Sequence, residues 1–448
     1  MCTRVVRLSE SRYDEIFKKL VRSAYDGDLA GEMERLRRAG DENTERYVLY
    51  AAGGGDPQAV VFKVRECSRE CGGGDPCRAA CLFDAIERDS RGRVVIKPNN
   101  CTGCGKCVEV CRHYSLVDKK EFVPLIALLK DRRVPVFAIV APAFIGQFGP
   151  AVTPGRMRAA LKRLGFYGMV EVALFADILT LKEALEFARQ VTGEADFMLT
   201  SMCCPIWVSM VKRVYRELVP RISPSVSPMV ACGRGIKKLH PDAKVVFIGP
   251  CIAKKAEAKE PDIRDAVDAV LTFQELQQIF EAVGIDPAGL EEDESEHSST
   301  AGRIYARTGG VSRAISATLD RLEPERKIKI RAIQADGVQD CKKVLEDVLA
   351  GRLKGNFLEG MGCRGGCVGG PKVLIDPAAG REYVEEYGAR AASPTPVDNA
   401  YVLELLRHLG IASTGEIIDD KKASFLIRDF RQGGESGPVA AGRPADSA

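Results

Sequence analysis

The chain has 448 residues, of which 45% are hydrophobic and 28% are charged, so it can bury the cores of about two or three globular domains. Its 65 Lys and Arg are interleaved with 62 Asp and Glu, a balance that provides no basic patch for nucleic acid. No apolar run is long enough to span a membrane, and the first residues lack the apolar core of a secretion signal. We therefore expect a cytoplasmic protein without a membrane span or a nucleic-acid partner.

Composition divides the chain into four regions. Residues 1–60 show the charge spacing of helices, end in a Gly-Gly-Gly-Asp-Pro breaker and carry no recognisable chemistry, so we expect an N-terminal helical region of unknown role. Residues 61–122 are rich in cysteine and too short to bury a large core, so bound metal is expected to stabilise them. Residues 123–413 form the main domain, and residues 414–448 are expected to be a disordered tail.

Cysteine usage indicates metal ligation. The chain has 16 cysteines, and because the cytosol keeps thiols reduced, they favour thiolate ligands over a disulfide framework. Cys2, Cys232 and Cys341 are isolated in the sequence, and we expect them to be inert thiols. The others form tight groups, which points to clusters of metal.

The run Cys101–Cys111 has the spacing C-x2-C-x2-C-x3-C, which wraps a cluster of four irons and four sulfurs. In such runs the fourth cysteine binds a neighbouring cluster, and an earlier, looser quartet has the same closing interval. A pair of zinc sites is the alternative, but zinc sites seldom pack three cysteines into such a short run. The pattern predicts an α+β ferredoxin-like domain with two 4Fe-4S clusters. One cluster is assigned to Cys67, Cys71, Cys77 and Cys111, and the other to Cys81, Cys101, Cys104 and Cys107.

Beyond residue 125, apolar runs alternate with amphipathic stretches. This alternation predicts an α/β domain of mostly parallel sheets flanked by helices, in which ligands bind beyond the carboxyl ends of the strands. Ala141-Pro142, Ser201–Cys204 and Pro250-Cys251 all begin where a predicted strand ends. The predicted strands lie at 134–140, 197–200, 244–248 and 327–333, and the predicted helices at 155–164, 180–191, 207–218 and 228–239.

Three stretches resemble the signature motifs of iron-only hydrogenases, in the order in which that family carries them. They are Thr-Ser-Met-Cys-Cys-Pro-Ile-Trp at Thr200–Trp207, Gly-Pro-Cys-Ile-Ala-Lys-Lys-Ala-Glu at Gly249–Glu257, and the glycine-rich segment Phe357–Gly370 with its two cysteines. The resemblance extends from about Cys67 to residue 412. It implies an enzyme that interconverts protons, electrons and H2.

The resemblance also implies an H-cluster, a 4Fe-4S cluster bridged to a diiron unit that carries CO, CN and azadithiolate ligands. Cys367 matches the bridging cysteine, and Lys254 resembles the residue whose ammonium binds a cyanide ligand; a solvated helical lysine is the alternative. Ala141, Pro142 and Met361 match positions that line the diiron pocket. The thiolates left for this cluster are Cys204, Cys251, Cys363 and Cys367, which come from three separate loops.

A proton relay is implied as well, because turnover needs protons delivered to a dry site. Cys203 matches the family's terminal proton donor, and Glu183 and Glu186, three residues apart on one helical face, match the pathway carboxylates. Ser223, nineteen residues after Cys204, matches the intervening hydroxyl. Each residue alone could equally be a solvated carboxylate or a core hydroxyl, but together they complete a relay.

Three departures distinguish the chain from the best-known members. Met202 is inserted into the commonest form of the first motif, which displaces either the Thr-Ser pair or Cys203. Gly249 stands where those members carry methionine, and Met229 where they carry glutamine, so both positions alter the diiron pocket. These changes fit a less-studied subgroup.

The sequence therefore predicts an iron-only hydrogenase that uses ferredoxin as its electron partner and maturation proteins to deliver the diiron unit. A hydrogen sensor of the same fold is one alternative, although no appended sensory domain is visible. A non-catalytic relative that serves in iron–sulfur protein assembly is the other, and the relay residues argue against it.

Overall fold

The structure is a computed structural model that describes residues 11–67, 71, 75–293, 295 and 297–430. Within these ranges, no helix combines the length and hydrophobicity needed to cross a bilayer. Cys2 and residues 431–448 of the predicted tail lie outside the described residues.

The N-terminal region forms three helices. Helix α1 begins at Ser11, whose hydroxyl and backbone N–H exchange hydrogen bonds with Asp14 in a capping box. Its apolar face, with Phe17 and Leu20, is fully buried in the main hydrophobic core, so these helices are part of the globular body. The helices are α1 (Arg12–Asp26), α2 (Leu29–Ala39) and α3 (Thr44–Ala51).

The cysteine-rich segment has short helices and two small antiparallel sheets. Strand β1 pairs with β4, and β2 pairs with β3. Pairing of the first strand with the last closes the segment on itself around its cysteines. The elements are β1 (Val61–Lys63), α4 (Pro76–Ala79), β2 (Ile86–Arg88), β3 (Val94–Ile96), α5 (Lys106–Glu109) and β4 (Leu116–Asp118).

The main domain contains two parallel sheets flanked by helices. A four-stranded sheet has the order β6-β5-β8-β9, and a three-stranded sheet has the order β10-β11-β7. The central strands are buried along their length, which explains their continuous apolar sequences. The first half comprises α6 (Ile126–Asp131), β5 (Val136–Val140), α7 (Pro154–Leu164), β6 (Gly168–Glu171), α8 (Val172–Gln190), β7 (Met198–Leu199), α9 (Pro205–Arg213), α10 (Pro228–Leu239) and β8 (Lys244–Gly249). The second half comprises α11 (Ala253–Glu257), β9 (Ala269–Thr272), α12 (Phe273–Val283), α13 (Thr300–Arg303), α14 (Gly310–Leu322), β10 (Ala332–Asp336), α15 (Val338–Leu349), β11 (Phe357–Met361), α16 (Pro377–Ala389) and α17 (Ala400–His408).

The fold class predicted from the sequence is confirmed, with differences at particular elements. The helix predicted at 180–191 begins at Val172, because α8 is buried on nearly all sides and so has little amphipathic pattern at its start. The strand predicted at 327–333 begins only at Ala332, where pairing with β11 starts.

The prediction of a disordered tail from residue 414 is wrong for residues 414–430. Short 3-10 turns lie at Thr414–Ile418 and Ser424–Leu426. Ile417 and Leu426 are fully buried, and the Val226 N–H donates to the Leu426 carbonyl at 2.9 Å. A few apolar side chains in a polar stretch therefore suffice to fix this segment against the main domain.

A buried ionic network joins the cysteine-rich segment to the main domain. Lys255 Nζ, on α11, lies 2.8 Å from Glu275 Oε2 and 3.5 Å from Asp118 Oδ2, and Lys372 Nζ lies 2.7 Å from Asp118 Oδ1. Lys255 and Glu275 are completely buried. Burial alone would lower the pKa of Lys255, but Glu275 and Asp118 outweigh it and raise the pKa.

Candidate metal centres and proton route

The four cysteines predicted to hold the third cluster follow the carboxyl ends of strands from both sheets. Cys204 caps α9 directly after β7, Cys251 follows β8, and Cys363 and Cys367 follow β11. The thiols face one another, since after burial the largest influences raising the pKa of Cys251 are Cys367 and Cys204. The pKa of Cys251 rises to about 12 and that of Cys367 to about 11. The structure thus brings the four predicted thiols together from three loops.

This arrangement fits a multi-iron cluster. The Gly362 N–H donates to Cys204 Sγ at 3.3 Å, as backbone amides commonly do to cluster sulfurs. Among the described residues, no three His, Cys, Asp or Glu side chains converge tightly enough to hold a single metal ion. The ligands of a four-iron cluster each bind a different iron and therefore lie further apart.

The glycine-rich loop after β11 allows close approach of the backbone. At Gly366, where φ is +85°, a Cβ would lie 2.6 Å from the Thr308 nitrogen. At Gly370 it would lie 2.9 Å from the Pro250 carbonyl oxygen, next to Cys251. A side chain at Gly370 would push this loop away from the loop that bears Cys251, and a side chain at Gly366 would push it away from the backbone before α14.

Buried polar atoms without hydrogen-bond partners lie near the cysteines. They are the Ser201 hydroxyl, the Lys254 ammonium and Glu257 Oε2. Lys254 Nζ lies 2.6 Å from Glu257 Oε2 as an ion pair, without hydrogen-bond geometry. Burial alone would lower the pKa of Lys254, but Glu257, with Cys251 and Cys203, raises it. A fixed ammonium facing the thiols suits an anionic ligand such as cyanide.

Met202 lies in the turn between Thr200 and Cys204. Thr200 keeps its place beside the sheet, because its N–H donates to the Leu358 carbonyl at 2.9 Å and its own carbonyl accepts from Trp207 Nε1 at 2.8 Å. Ser201 takes a left-handed φ of +66°, and the Met202 side chain is buried. The turn therefore carries backbone strain at Ser201, while Thr200 stays hydrogen-bonded to β11 and Cys204 stands at the start of α9.

The predicted pocket residues are all buried. Ala141 directly follows β5, and Met361 packs in the hydrophobic cluster that includes Cys203 and Cys204. At Gly249 a Cβ would lie 2.6 Å from the Phe247 ring and 3.2 Å from the Ala141 Cβ, so this position admits no side chain without repacking. Pro142 and Met229 are likewise buried.

The cysteine-rich segment contains two groups of thiols, which we call the inner and outer sites. The inner site is a small cavity lined by Cys81, Cys101, Cys104 and Cys107, the cross-ligating set that the spacing predicted. At the outer site, burial raises the pKa of Cys67 and Cys77, and Cys111 contributes to both shifts. Cys71 contributes to the shift of Cys67. Cys104 of the inner site and Cys363 line a second, common cavity, so the inner site adjoins the loop that bears Cys363.

The proton-relay residues form two hydrogen-bonded pairs. The Thr200 hydroxyl donates to Glu183 Oε2, and the Ser223 hydroxyl donates to Glu186 Oε2 at 2.7 Å. Among the described residues, no direct hydrogen bond joins Cys203 to Glu183 or Glu183 to Ser223. The structure therefore brings Ser223 and Glu186 into contact and does not place Cys203 or Glu183 in a direct hydrogen bond with another predicted member.

Sequence reasoning missed two members of this buried group. Thr200 was part of a motif but had no assigned role. Lys182 is almost fully buried, pairs with Glu186 Oε1 and donates to the Ser225 hydroxyl at 3.0 Å. Its position four residues before Glu186 on a helix was the signal that could have revealed the pair.

Glu183 is an acid that keeps its proton at neutral pH. Burial, followed by the Glu186 charge, raises the pKa of Glu183 from 4.5 to about 8. The folded state holds this proton more tightly than the unfolded state does. The stability that the bound proton contributes is therefore fully present below about pH 4.5, and it falls by about 1.4 kcal/mol per pH unit as the pH rises toward about 8.

Glu183→Gln should therefore lose less stability than the wild type between about pH 5 and about pH 8. The urea midpoint of the cluster-loaded protein at each pH measures this difference. Equal losses in both proteins would show that Glu183 does not titrate in this range.

The fold and the cysteine-bearing loops together indicate a protein of the iron–sulfur class, with four cysteines gathered at the strand ends of two parallel sheets. Comparison with known proteins narrows the class. Residues 134–371, more than half of the chain, match the family model of the iron-only hydrogenase large subunit, C-terminal domain, and residues 93–116 match a 4Fe-4S binding domain. The chain belongs to the iron-only hydrogenase family.

Individual relatives agree with this assignment. The chain is 31% identical over 297 residues to the periplasmic Fe hydrogenase large subunit of Nitratidesulfovibrio vulgaris, covering 55% of this chain and 70% of that protein. It is 29% identical over 284 residues to iron hydrogenase 1 of Clostridium pasteurianum, covering 54% of this chain and 49% of that protein. It is also 24% identical over 379 residues to cytosolic iron-sulfur assembly component 3 of Pongo abelii, covering 69% of this chain and 79% of that protein.

Solved structures share the fold. A variant of the FeFe-hydrogenase HydA1 from Chlamydomonas reinhardtii superposes with a TM-score of 0.54 at 22% identity, covering 68% of this chain and 97% of that one. At this level of identity the likeness concerns the fold.

Proposed function

We propose that the chain is a cytoplasmic hydrogenase that interconverts H2 with protons and electrons. The observation that carries this proposal is the buried group of acids and hydroxyls around Glu183 and Glu186, next to the loop that holds Cys203 and Cys204. A protein that only holds iron–sulfur clusters has no need of such a group. Burying several ionisable side chains costs desolvation free energy, and groups of such side chains are found buried mainly at functional sites.

The residues present fit an H-cluster. Cys204, Cys251, Cys363 and Cys367 would hold its four-iron part, and Cys367 would also bridge to the diiron unit. The buried Lys254 ammonium, which is ion-paired with Glu257 but has no hydrogen bond, supports a place for an anionic ligand of that unit. Ala141, Pro142 and Met361 would line the pocket around it. When bound, the group supplies the redox chemistry that cleaves or forms H2.

The chain's own residues would move the proton and keep water out. Cys203 would exchange the proton with the active site, and Glu183, protonated at neutral pH, would pass it outward. Ser223 and Glu186 would complete the path, with the Lys182 ammonium holding one Glu186 oxygen in place. The apolar pocket would confine proton exchange to this route.

Electrons would travel through the outer and inner sites of the cysteine-rich segment. The cavity shared by Cys104 and Cys363 supports transfer from the inner site to the catalytic cluster. Ferredoxin is the proposed external carrier, and maturation proteins would deliver the diiron unit. The proposed division is an N-terminal helical region at 1–60, a two-cluster domain at 61–122 and a catalytic domain at 123–413.

Infrared spectroscopy of the protein matured with the diiron unit tests the proposal. We expect carbonyl and cyanide bands, together with H2 oxidation and proton reduction when a redox dye replaces the natural carrier. Bands accompanied by negligible turnover would favour a hydrogen sensor instead.

A non-catalytic role in iron–sulfur protein assembly is the second candidate function. It is favoured by the similarity to cytosolic iron-sulfur assembly component 3, which spans 79% of that relative. Iron–sulfur clusters without carbonyl and cyanide bands after maturation would support this role and contradict the first.

A further inference from the structure

The inner site is an apolar cavity with a single hydroxyl side chain. Apart from the four cysteines, its lining residues are apolar or glycine, with the exception of Thr102, which lies between ligands Cys101 and Cys104 in the sequence. The apolar lining consists of Val61, Phe83, Ala85, Ile86, Ile96 and Gly105.

The Thr102 hydroxyl has no hydrogen-bond partner in the protein. The residue is 5% exposed, and its Oγ1 is buried and unpartnered. Its side chain and the Cys104 thiol line the same cavity. A buried hydroxyl without a partner is costly, so a ligand in the cavity is expected to accept its hydrogen bond.

The sulfurs of a 4Fe-4S cluster are suitable acceptors. Such a cluster becomes more negative when it takes up an electron, and an apolar cavity disfavours that extra charge. A donor aimed at a cluster sulfur stabilises the reduced form and raises the reduction potential. The inner site adjoins the loop that bears Cys363, so its potential controls the last electron transfer toward the catalytic cluster.

We propose that the Thr102 hydroxyl donates a hydrogen bond to the inner cluster and thereby sets its reduction potential above that of an otherwise apolar site. Thr102 is a positioning and tuning residue, since it binds no iron. This inference rests on the proposed assignment of the inner cluster to Cys81, Cys101, Cys104 and Cys107. It does not depend on turnover of H2.

The test is a redox titration of the cluster-loaded protein followed by electron paramagnetic resonance. Thr102→Val keeps the shape and removes the donor, whereas Thr102→Ser keeps the donor. Thr318→Val is the matched control. Thr318 is also buried and its hydroxyl also lacks a hydrogen-bond partner, but it lies on α14 in the main domain and not in the cysteine-rich segment. The outer cluster serves as an internal reference.

At a fixed solution potential, the ratio of reduced to oxidised inner cluster should fall about tenfold in Thr102→Val, which corresponds to about 59 mV for one electron. It should change little in Thr102→Ser and Thr318→Val. An unchanged ratio in Thr102→Val, or an equal fall in Thr318→Val, would overturn the inference.

If Thr102→Val loses the cluster, the wild-type protein is compared with Thr102→Ala instead. After exchange into D2O, pulsed resonance of its reduced inner cluster should show one more strongly coupled deuteron than Thr102→Ala shows. Equal spectra would overturn the inference. A protein without H2 turnover but with these shifts would contradict the proposed function and leave the role of Thr102 intact.

Discussion

Replacing Cys203 with alanine is expected to lower H2 turnover by about 10²–10⁴-fold while leaving the iron content unchanged. Cys203 precedes the cluster ligand Cys204, and its thiol is the proposed last carrier of the proton. Alanine removes the transferable proton and leaves Cys204, Cys251, Cys363 and Cys367 in place. Turnover in both directions, with iron content and infrared bands of the matured protein, measures the effect.

Glu183→Gln should have an effect of similar size, because glutamine occupies the same space but cannot pass a proton. Cys232→Ala and Glu194→Gln are the matched controls. Cys232 is a fully buried thiol on α10, and Glu194 is an exposed carboxylate with 77% of its side chain accessible. Undiminished turnover in either relay variant would rule out the proposed pathway.

Replacing Lys255 with methionine is expected to destabilise the protein by about 3–5 kcal/mol. The ammonium neutralises two buried carboxylates, Glu275 and Asp118, and it is completely buried itself. Methionine fills much of the same volume but leaves Glu275 without its ion-pair partner, whereas Asp118 keeps Lys372. A lower urea midpoint measures the loss.

An exposed ion pair provides the comparison. Lys329 Nζ lies 2.8 Å from Asp320 Oδ1, and both side chains are about half exposed, so Lys329→Met should cost less than about 1 kcal/mol. Adding Glu275→Gln to Lys255→Met should recover part of the stability, since it removes one buried charge and keeps an acceptor for the Thr272 N–H, which donates to Glu275 Oε2 at 2.7 Å at the start of α12. Similar losses in Lys255→Met and Lys329→Met would disprove the role of the network.

Lys255 also illustrates why sequence reasoning was incomplete. Lys254 and Lys255 are neighbours in one motif, yet the first faces the catalytic cysteines and the second faces a network built from residues far away in the chain. The charge of a lysine is evident from the sequence, but the direction of its side chain is set by the packing of α11.

The sequence by itself determined the chemistry and the broad architecture. Metal ligation requires particular residue types at short spacings, so the run Cys101–Cys111 predicts a cluster even when the fold is not known. Alternating apolar and amphipathic stretches predicted the parallel sheets, because local periodicity reflects burial.

Only the tertiary structure decided which distant side chains meet. The pairing of Thr200 with Glu183, the hydrogen bond from Lys182 to Ser225, and the buried Leu426 in the expected tail depend on contacts between segments that are separated in the chain. Such contacts arise when the sheets and helices pack. They leave no local period or spacing that a sequence can reveal.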